Sequence, residues 1–561
     1  MSEERAFKSS QNSIVEVDFK SRANYTNPFN EVDMYVDVTD PDGEVYKVPA
    51  FWAGKSVWKF RYASPKIGTH RFVTRCSNSD SDLHNQTGTI DLSEYKGDNK
   101  LLKHGPITVS SNARHFEHAD KTPFLWLGEA WYMAFTKRIK WPEDFKHLVR
   151  DRAEKGYNVI QIVAAYPAEI DSFDPIEVNE GGHPWTKGFG SINPSYWDFA
   201  DLKVDWLVQS GISPCIFGCW GYHIDAMGIE KMKKHWRYII ARWGAYPVTW
   251  VASGEARMPH YDVLAAENLS YKSERETGRL GKLWSEVTRY MRSTDPFKRP
   301  VSVMGNPGDF RYSAREIYDD YSLFDYDYLC TDHYDELVFE LALRKANELY
   351  STPPVKPFLN GETCWEGMSG ANWQDTQRFI YWTYMLSGAA GHSHGASGLW
   401  NFHEKNDGWV GAWAIWSDQT WKEAVELPGA YQMGLGKKFL ETFEWDKFEP
   451  HPDWVTPHSN SENVRLPYAA GIPGKVRLIY FPGICFMRDI YDLRGFKIIN
   501  IEKNSNYKAY FFNPRTGEKV RMMNVEPDES GTWKIPKSIK YEIDKPNPTS
   551  EDWVLVLENK P

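Results

Sequence analysis

Cysteine is scarce in this chain, which has six in 561 residues, and most of them lie inside predicted apolar strands. That pattern favours reduced, buried thiols over a disulfide framework. Runs of 18 apolar residues are also missing, so no transmembrane helix is predicted. The first residues contain no apolar segment typical of a secretory signal. We therefore expect a cytoplasmic protein, although a secreted chain trimmed of its leader would have the same sequence.

Basic residues are fewer than acidic ones, which gives the chain a net charge of −10 and an isoelectric point near 5.9. This balance argues against nucleic acid or an anionic membrane as the main partner. The sequence shows no glycine-rich nucleotide fingerprint, no phosphate-binding loop and no Gly-x-Ser-x-Gly elbow. Nucleotide chemistry and serine hydrolysis are therefore not supported, and no cofactor is predicted.

A metal site has weak support in the sequence. His392 and His394 form a His-x-His pair, and His403 follows nearby. A lone pair of this kind is a weak signal, no His-Glu-x-x-His motif is present, and the cysteines are scattered. We interpret these histidines as structural or sugar-binding residues and predict no metal.

Aromatic residues, by contrast, are abundant. They make up 15% of the chain, with 25 tryptophans and 31 tyrosines. Sugar rings present apolar C–H faces, for which an indole or phenol ring supplies a flat surface with a polar tip. The alternative is that large cores use aromatic side chains, which would account for most of them.

The two ends of the chain have the alternating period of β-strands. Residues 13–74 contain strand-like runs separated by turn sequences such as Asp40-Pro-Asp-Gly43, and no helical period competes with them. Strand patterns return after about residue 460. We predict an N-terminal β-sandwich of immunoglobulin-like type over residues 1–110 and a second β-sandwich over residues 456–561.

The middle of the chain alternates between strand and helix patterns. The alternation repeats eight times, which predicts a (β/α)8 TIM barrel over residues 111–455 and places the chain in the α/β class. The seventh strand is expected to break at Asn360-Gly361, and the eighth is expected at Leu399–Phe402.

Two stretches end in a glutamate after an apolar run and a glycine. They are Pro247-Val-Thr-Trp-Val-Ala-Ser-Gly-Glu255 and Lys356-Pro-Phe-Leu-Asn-Gly-Glu362. Chemistry in a barrel takes place where strands end, and a pair of carboxylates is the minimum apparatus for cleaving a glycosidic bond. The pattern therefore predicts that Glu255 and Glu362 are catalytic residues of a retaining glycoside hydrolase. A solvated loop charge is the plainer alternative for either one.

Other polar and aromatic residues follow the predicted strands. Glu366 and Glu129 are the competing carboxylates, and we expect Glu129 to bind sugar hydroxyls. Tyr334 is expected to support the nucleophile. Arg257 would clamp substrate or pair with a neighbouring acid. The predicted substrate-binding residues are Glu129, Trp131, Tyr166, Trp220, His223, Asp332, His333, Tyr334, Asn360, Trp365 and Trp400.

The layout and two motifs resemble a known family. The barrel opens with Pro123-Phe-Leu-Trp-Leu-Gly-Glu-Ala-Trp131, and the last domain contains Tyr510-Phe-Phe-Asn-Pro-Arg-Thr-Gly517. Together they resemble the apiosidase-like glycoside hydrolases (family 140-like), relatives of the large clan of retaining barrel enzymes. The resemblance implies that Glu255 is the acid/base and Glu362 the nucleophile. Members often carry Gly-Asp where this chain has Gly254-Glu255, which implies a different sugar or linkage.

The predicted partner is an oligosaccharide or glycoside, with no nucleic acid or membrane partner. A non-catalytic sugar-binding barrel and a transglycosidase using the same two glutamates are the alternatives. Contacts between flanking sandwiches would allow a homo-oligomer, which the sequence does not decide. The identity of the sugar also stays open.

Overall fold

The computed structural model describes residues 5–260, 273–307, 311–331, 333, 335–362, 364–407, 417–483, 496–503, 505–535 and 551–559. No helix within these ranges is both long and apolar enough to cross a membrane. The five cysteines they contain are buried, and Cys485 lies outside them.

The N-terminal domain consists of two facing sheets. Its strands are β1 (Arg5–Ser10), β2 (Val15–Lys20), β3 (Met34–Thr39), β4 (Val45–Pro49), β5 (Phe51–Trp52), β6 (Val57–Tyr62), β7 (Gly68–Cys76) and β8 (Thr87–Ser93). One sheet has the order β1-β8-β7-β3-β4 and the other β2-β6-β5. Alternate side chains of β2 and β3 are buried, so the strand period seen in the sequence marks the face that packs into the sandwich.

A small sheet lies between this domain and the barrel in the order of the chain. It is made of β9 (Ile107–Val109), β10 (Phe116–His118) and β11 (Pro123–Phe124). The ring of Phe116 lies 5.4 Å from that of Trp126, the first residue of the first barrel strand, and 5.3 Å from Tyr326. The sheet therefore closes the end of the barrel at which the strands begin.

Eight parallel strands form the barrel. They are β12 (Trp126–Ala130), β13 (Val159–Val163), β14 (Ser213–Phe217), β15 (Thr249–Val251), β16 (Val301–Ser302), β17 (Asp327–Cys330), β18 (Phe358–Glu362) and β19 (Gly391–His394). They run in the order β16-β15-β14-β13-β12-β19-β18-β17, and a parallel bridge between Met304 and Tyr328 joins the two ends. The predicted TIM barrel with flanking β domains is confirmed.

Helices cover the outside of the barrel. The longer ones are Glu143–Lys155, Pro194–Gln209, Ile229–Trp243, Glu274–Thr294, Asp335–Ser351, Gln374–Leu386 and Pro428–Leu440; the shorter ones are Pro28–Glu31, Lys100–Lys103, His223–Met227, Ala314–Ile317 and Trp421–Val425. The first long helix ends at Gly156, whose φ of 98° allows a left-handed C-cap. Most large aromatic side chains of the described residues lie in the core. Ten of the described tryptophan side chains are less than 2% exposed.

The C-terminal domain again consists of two sheets. Its strands are β20 (Glu449–Pro450), β21 (Val455–Thr456), β22 (Tyr468–Ile472), β23 (Val476–Phe481), β24 (Lys497–Ile498), β25 (Tyr507–Phe512), β26 (Lys519–Asn524), β27 (Trp533–Lys534) and β28 (Trp553–Asn559). The orders are β20-β22-β23-β28-β25-β26 and β21-β24-β27. This domain packs on the barrel through Arg378 of helix Gln374–Leu386, whose guanidinium donates two hydrogen bonds to the Asp552 carboxylate.

Two strand predictions were wrong. The seventh strand does not break at Asn360-Gly361 but continues to Glu362, with a register shift opposite Leu329 and Cys330 that absorbs the glycine as a bulge. The eighth strand is Gly391–His394, and Leu399–Phe402 lies in a turn after it. Strand eight consists of small residues and histidines, so a search for apolar runs does not find it. Its backbone pairing with β12 and β18 stabilises the strand even though its side chains have little preference for one.

Candidate active site

Both predicted catalytic glutamates lie at the end of the barrel where the strands finish. Glu362 is the last residue of β18, and Glu255 follows the end of β15 by four residues. The glycine before each one makes room for a ring. A Cβ at Gly361 would lie closer than 3.0 Å to the Tyr328 ring, and one at Gly254 would lie equally close to Trp220. The repeated Gly-Glu pair therefore reflects close packing under each carboxylate.

Glu362 is buried and held at both oxygens. Only 6% of it is exposed. The phenol of Tyr132 donates a hydrogen bond to Oε2, and Nε2 of His333 lies 3.3 Å from Oε1. Burial, followed by the negative charge of Glu362, raises the pKa of Tyr132 well above its usual value. Tyr132 therefore stays protonated and acts as a neutral donor to the carboxylate.

Glu255 is more exposed than Glu362 and has an unusual backbone. Its φ of 35° lies in the left-handed region, which costs a residue other than glycine on the order of 1 kcal/mol or more. The indole Nε1 of Trp220 donates a hydrogen bond of 2.9 Å to Oε2 of Glu255. A parallel bridge between Trp220 and Gly254 fixes the backbones beside it. Strain of this kind is typical of a functional position.

The two carboxylates are anchored to neighbouring rings. The centroids of Tyr132 and Trp220 lie 5.2 Å apart, with an angle of 63° between the ring planes. Tyr132 donates to Glu362 and Trp220 donates to Glu255. Both glutamates therefore face one cleft, although they are 107 positions apart in the numbering of the chain.

A row of stacked rings extends from Glu362. His333 and Trp365 are nearly parallel, with an interplanar angle of 13° and centroids 5.6 Å apart. Trp365 and Trp400 follow at 6.0 Å and 25°. The Tyr132 ring meets both tryptophans edge-on, at 6.2 and 6.4 Å. The structure thus brings Trp220, His333, Trp365 and Trp400 of the predicted set to the two glutamates.

Glu129 and Trp131 lie below this cleft, not in it. Both are completely buried. The Glu129 carboxylate accepts hydrogen bonds from Nε of Arg152 at 2.7 Å and from Nε1 of Trp131 at 2.6 Å, and its other oxygen lies 3.0 Å from His394. Burial alone would raise the pKa of Glu129, but the Arg152 guanidinium and His394 lower it to about 2. Sugar binding by Glu129 stays a prediction that this burial does not favour.

The other competing carboxylate, Glu366, belongs to the same buried network. Nε2 of His394 lies 3.0 Å from one oxygen of Glu366, and the Gly429 amide donates to the other. Burial opposes the charge of His394, but hydrogen bonds to Glu129 and Glu366 raise its pKa. Among the described residues no group of three or more histidine, cysteine or acidic side chains could hold a metal ion.

Three further predicted residues are buried behind the cleft. The Asn360 amide donates to Nδ1 of His392, its neighbour on β19, at 3.1 Å. His223 lies between the hydroxyl of Ser172 and the carbonyl of Pro167, and burial lowers its pKa to about 3, so it is neutral. The Tyr166 ring packs 5.4 Å from His223, on a backbone with φ of 57°. Their predicted contacts with substrate stay predictions.

Arg257 pairs with protein groups. Its guanidinium donates to Glu274 at 3.2 Å and to the hydroxyl of Thr277 at 3.0 Å, which agrees with the pairing alternative. Asp332 and Tyr334 lie outside the described residues. Tyr132, which donates a hydrogen bond to Glu362, was not among the predicted site residues. Its signal was its place in Gly128-Glu-Ala-Trp-Tyr132, directly after the first barrel strand, where only the tryptophan and the glutamate received a role.

Most of the chain is similar to known proteins. The profile of the apiosidase-like catalytic domain matches residues 110–447, and that of a domain of unknown function, DUF5060, matches residues 9–77. A search of curated proteins finds no match. A structure described as a putative glycoside hydrolase from Bacteroides vulgatus superposes with a TM-score of 0.68 at 16% identity, covering 99% of this chain and 100% of the other.

A second structure from Bacteroides vulgatus, described as a glycoside hydrolase of family 5, has a TM-score of 0.65 at 17% identity and covers 83% of this chain and 95% of its own. At this identity the similarity supports the fold alone, whereas the family profile spans more than half of the sequence. The chain belongs to the apiosidase-like family of glycoside hydrolases and is a glycosidase.

Proposed function

We propose that the protein is a retaining glycoside hydrolase in which Glu362 is the nucleophile and Glu255 the acid/base. The observation that carries this proposal is the pair of adjoining rings, Tyr132 and Trp220, each of which donates one hydrogen bond to one of the two carboxylates. A retaining enzyme needs two carboxyl groups about 5–5.5 Å apart, one on each side of the scissile bond. Anchoring on adjacent rings suits that short separation.

The difference between the two environments supports this division of roles. Glu362 is deeply buried between a neutral phenol and His333, a setting that fixes a charged oxygen in position for attack on the anomeric carbon. Glu255 is more exposed, so it can exchange protons with the leaving group and then with water.

The chemistry then follows two displacements. The Glu362 carboxylate forms a bond to the anomeric carbon while Glu255 gives its proton to the departing oxygen, which leaves as an alcohol. Glu255, now ionised, takes a proton from water, and the resulting oxygen attacks the same carbon and releases Glu362. The first step leaves Glu255 ionised, as the second step requires. The second step returns Glu255 to its protonated form and Glu362 to the free carboxylate.

The substrate is an oligosaccharide or glycoside with a sugar ring placed against the stacked row. Trp365 and Trp400 lie beside the nucleophile, with 4% of each residue exposed. Apolar sugar faces stack on indole rings of this kind. A few polar groups then suffice to fix the orientation of the sugar ring. His333, beside Oε1 of Glu362, is one such group.

The test is a pair of substitutions scored on a panel of aryl α- and β-pyranosides and furanosides. Glu362→Gln should reduce turnover by at least about a thousandfold on every substrate that the wild type cleaves. Glu255→Gln should reduce it strongly for poor leaving groups and much less for activated ones, which need no proton. Glu230→Gln, at a side chain that is 79% exposed, is the control. Unchanged hydrolysis in either catalytic variant would refute the assignment.

A further inference from the structure

A large cavity lies at the opposite end of the barrel from the two glutamates. Its volume is about 680 Å³, within the range of small-molecule sites. One wall comes from β3 and β4 of the N-terminal sandwich. The other comes from Pro247, just before β15, and from residues 296–299, just before β16. The strands begin here, whereas Glu255 and Glu362 lie where the strands finish.

The cavity continues along the boundary between the two domains. A second cavity of about 270 Å³ shares Asp33, Arg237 and Tyr290 with the first and runs between β5 and helix Ile229–Trp243. The Asp33–Arg237 ion pair lies on the wall that the two cavities share, and we call the two cavities together the junction groove. Two neighbouring cavities suit a chain of several units better than one compact ligand.

The junction groove is basic in a protein that is acidic as a whole. Six cationic side chains line it: Lys47, Lys233, Lys234, Arg237, Lys298 and Arg299. The carboxylates that line it are Asp33, Glu44 and Glu230; Asp33 pairs with Arg237, and both Glu230 and Glu286 pair with Lys233. Since the whole chain has a net charge of −10, this local excess of positive charge favours an anionic ligand.

Two of these cations are available to a ligand. Lys47 and Lys298 are exposed, and neither makes an ion pair with any other described residue. Lys298 has a φ of 51°, in a loop that Asp295 holds by accepting hydrogen bonds from the amides of Phe297 and Arg299. A fixed loop with a left-handed residue thus presents the Lys298 ammonium to the cavity.

Aromatic side chains of the groove offer further contacts to a ligand. Tyr35 and Tyr290 line the cavity, both are partly exposed, and their phenols make no hydrogen bond within the described ranges. The ammonium of Lys47 lies 3.9 Å above the Tyr35 ring. Unused hydroxyls and rings beside cations fit a ligand that combines hydroxyl groups, apolar faces and carboxylates.

We propose that the junction groove binds a segment of an acidic, uronate-containing glycan, so that the polysaccharide is held at one end of the barrel while the cleft acts at the other. The ligand class rests on the proposed function, because a glycosidase meets glycan chains. Binding in the groove involves no bond cleavage, and none of its residues belongs to the catalytic site.

The experiment measures binding apart from turnover. The full-length Glu362→Gln variant, which should not cut the ligand, is titrated with polygalacturonic acid and, separately, with its fully methyl-esterified form. The acidic polymer should bind at least about tenfold more tightly, and added salt should weaken its binding. Adding Lys47→Gln and Lys298→Gln should weaken binding of the acidic polymer about tenfold.

The matched control removes the same charge from exposed positions outside the groove. Lys20 and Lys96 are exposed and line neither cavity. Lys20→Gln with Lys96→Gln should leave binding unchanged. Equal binding of the two polymers, no binding of either, or an equal loss in both double variants would overturn the groove proposal. Hydrolysis of aryl glycosides by the otherwise wild-type chain should be unaffected by either double substitution, so failure of the groove is distinguishable from failure of the catalytic assignment.

Discussion

The rings of Tyr132 and Trp220 meet with their centroids 5.2 Å apart, and each donates a hydrogen bond to one of the two proposed catalytic carboxylates. The two residues come from the ends of different strands, β12 and β14. Their contact fixes Glu362 relative to Glu255. A change to either ring should therefore affect catalysis more than folding.

Tyr132→Phe should reduce kcat/KM about ten- to a hundredfold, because a hydrogen bond to a charged group contributes roughly 1.5–3 kcal/mol. The ring stays, so its packing against Trp220 is kept. A carboxylate that loses a donor binds a proton more readily, and the acid limb of the pH–rate profile should move to higher pH. Steady-state kinetics across pH checks both effects. A lower rate with an unmoved acid limb would show that Tyr132 acts only through packing.

Trp220→Phe should slow the step in which Glu255 donates its proton to the leaving group. The substitution keeps a ring beside Tyr132 but removes the N–H that Glu255 accepts. Without it, Glu255 should hold its proton to higher pH, and the basic limb of kcat/KM should shift upward. The rate loss should differ between good and poor leaving groups, which a series of substituted aryl glycosides measures. A uniform loss across the series would point to substrate binding instead.

Gly254→Ala should destabilise the fold as well as the site. The added Cβ would lie closer than 3.0 Å to the Trp220 ring, so the ring or the strand end must move, at a cost of about 1–3 kcal/mol. Thermal unfolding should show a lower Tm, and activity should fall even at temperatures where the variant is folded. Gly190→Ala, where the nearest atom is a threonine hydroxyl at 3.3 Å, is the control. Equal Tm values for the two variants would contradict the packing account.

The network around Glu129 predicts how stability depends on pH. The pKa of Glu129 is depressed to about 2, so its contribution is present above the usual glutamate pKa near 4.5 and is lost as the pH falls toward 2. Glu129→Gln should flatten that acid limb. It should also cost on the order of 3 kcal/mol at neutral pH, because the buried Arg152 keeps only Asp151 as a charged partner.

His394 acts in the opposite direction. Its raised pKa means that its contribution is present below the usual histidine value of 6.5 and is lost as the pH rises through the folded value. Calorimetric unfolding of the wild type and of Glu129→Gln from pH 3 to 9 measures both limbs. If the two proteins lose stability in parallel between pH 5 and 3, Glu129 does not control the acid limb.

The architecture could be predicted from the sequence because periodicity is a property of whole segments. A prediction that rests on eight alternations of strand and helix stays correct when one of them is misplaced, as the eighth strand was. The positions of Glu255 and Glu362 could be predicted for the same reason, since each follows an apolar run and a glycine. Both are local patterns tied to a strand end.

The partners of these residues depend on contacts between distant segments. Glu129 was predicted to bind substrate because it follows the apolar run that opens the first strand. In the structure it lies within β12, where Arg152 and His394 pair with it from two other elements. Tyr132 and Trp131 are adjacent in the chain, yet one faces Glu362 and the other packs 6.0 Å from Phe145 of the covering helix. Which neighbour faces the cleft depends on how the strand ends, and a sequence pattern does not carry that information.

The stereochemistry of the first-formed product tests the central claim most directly. Proton NMR of a cleaved aryl glycoside, recorded before the released sugar mutarotates, distinguishes the two anomers. Two carboxylates anchored on adjoining rings predict that the product keeps the anomeric configuration of the substrate. A product of inverted configuration would contradict the account, since it would require room for water between Glu255 and Glu362.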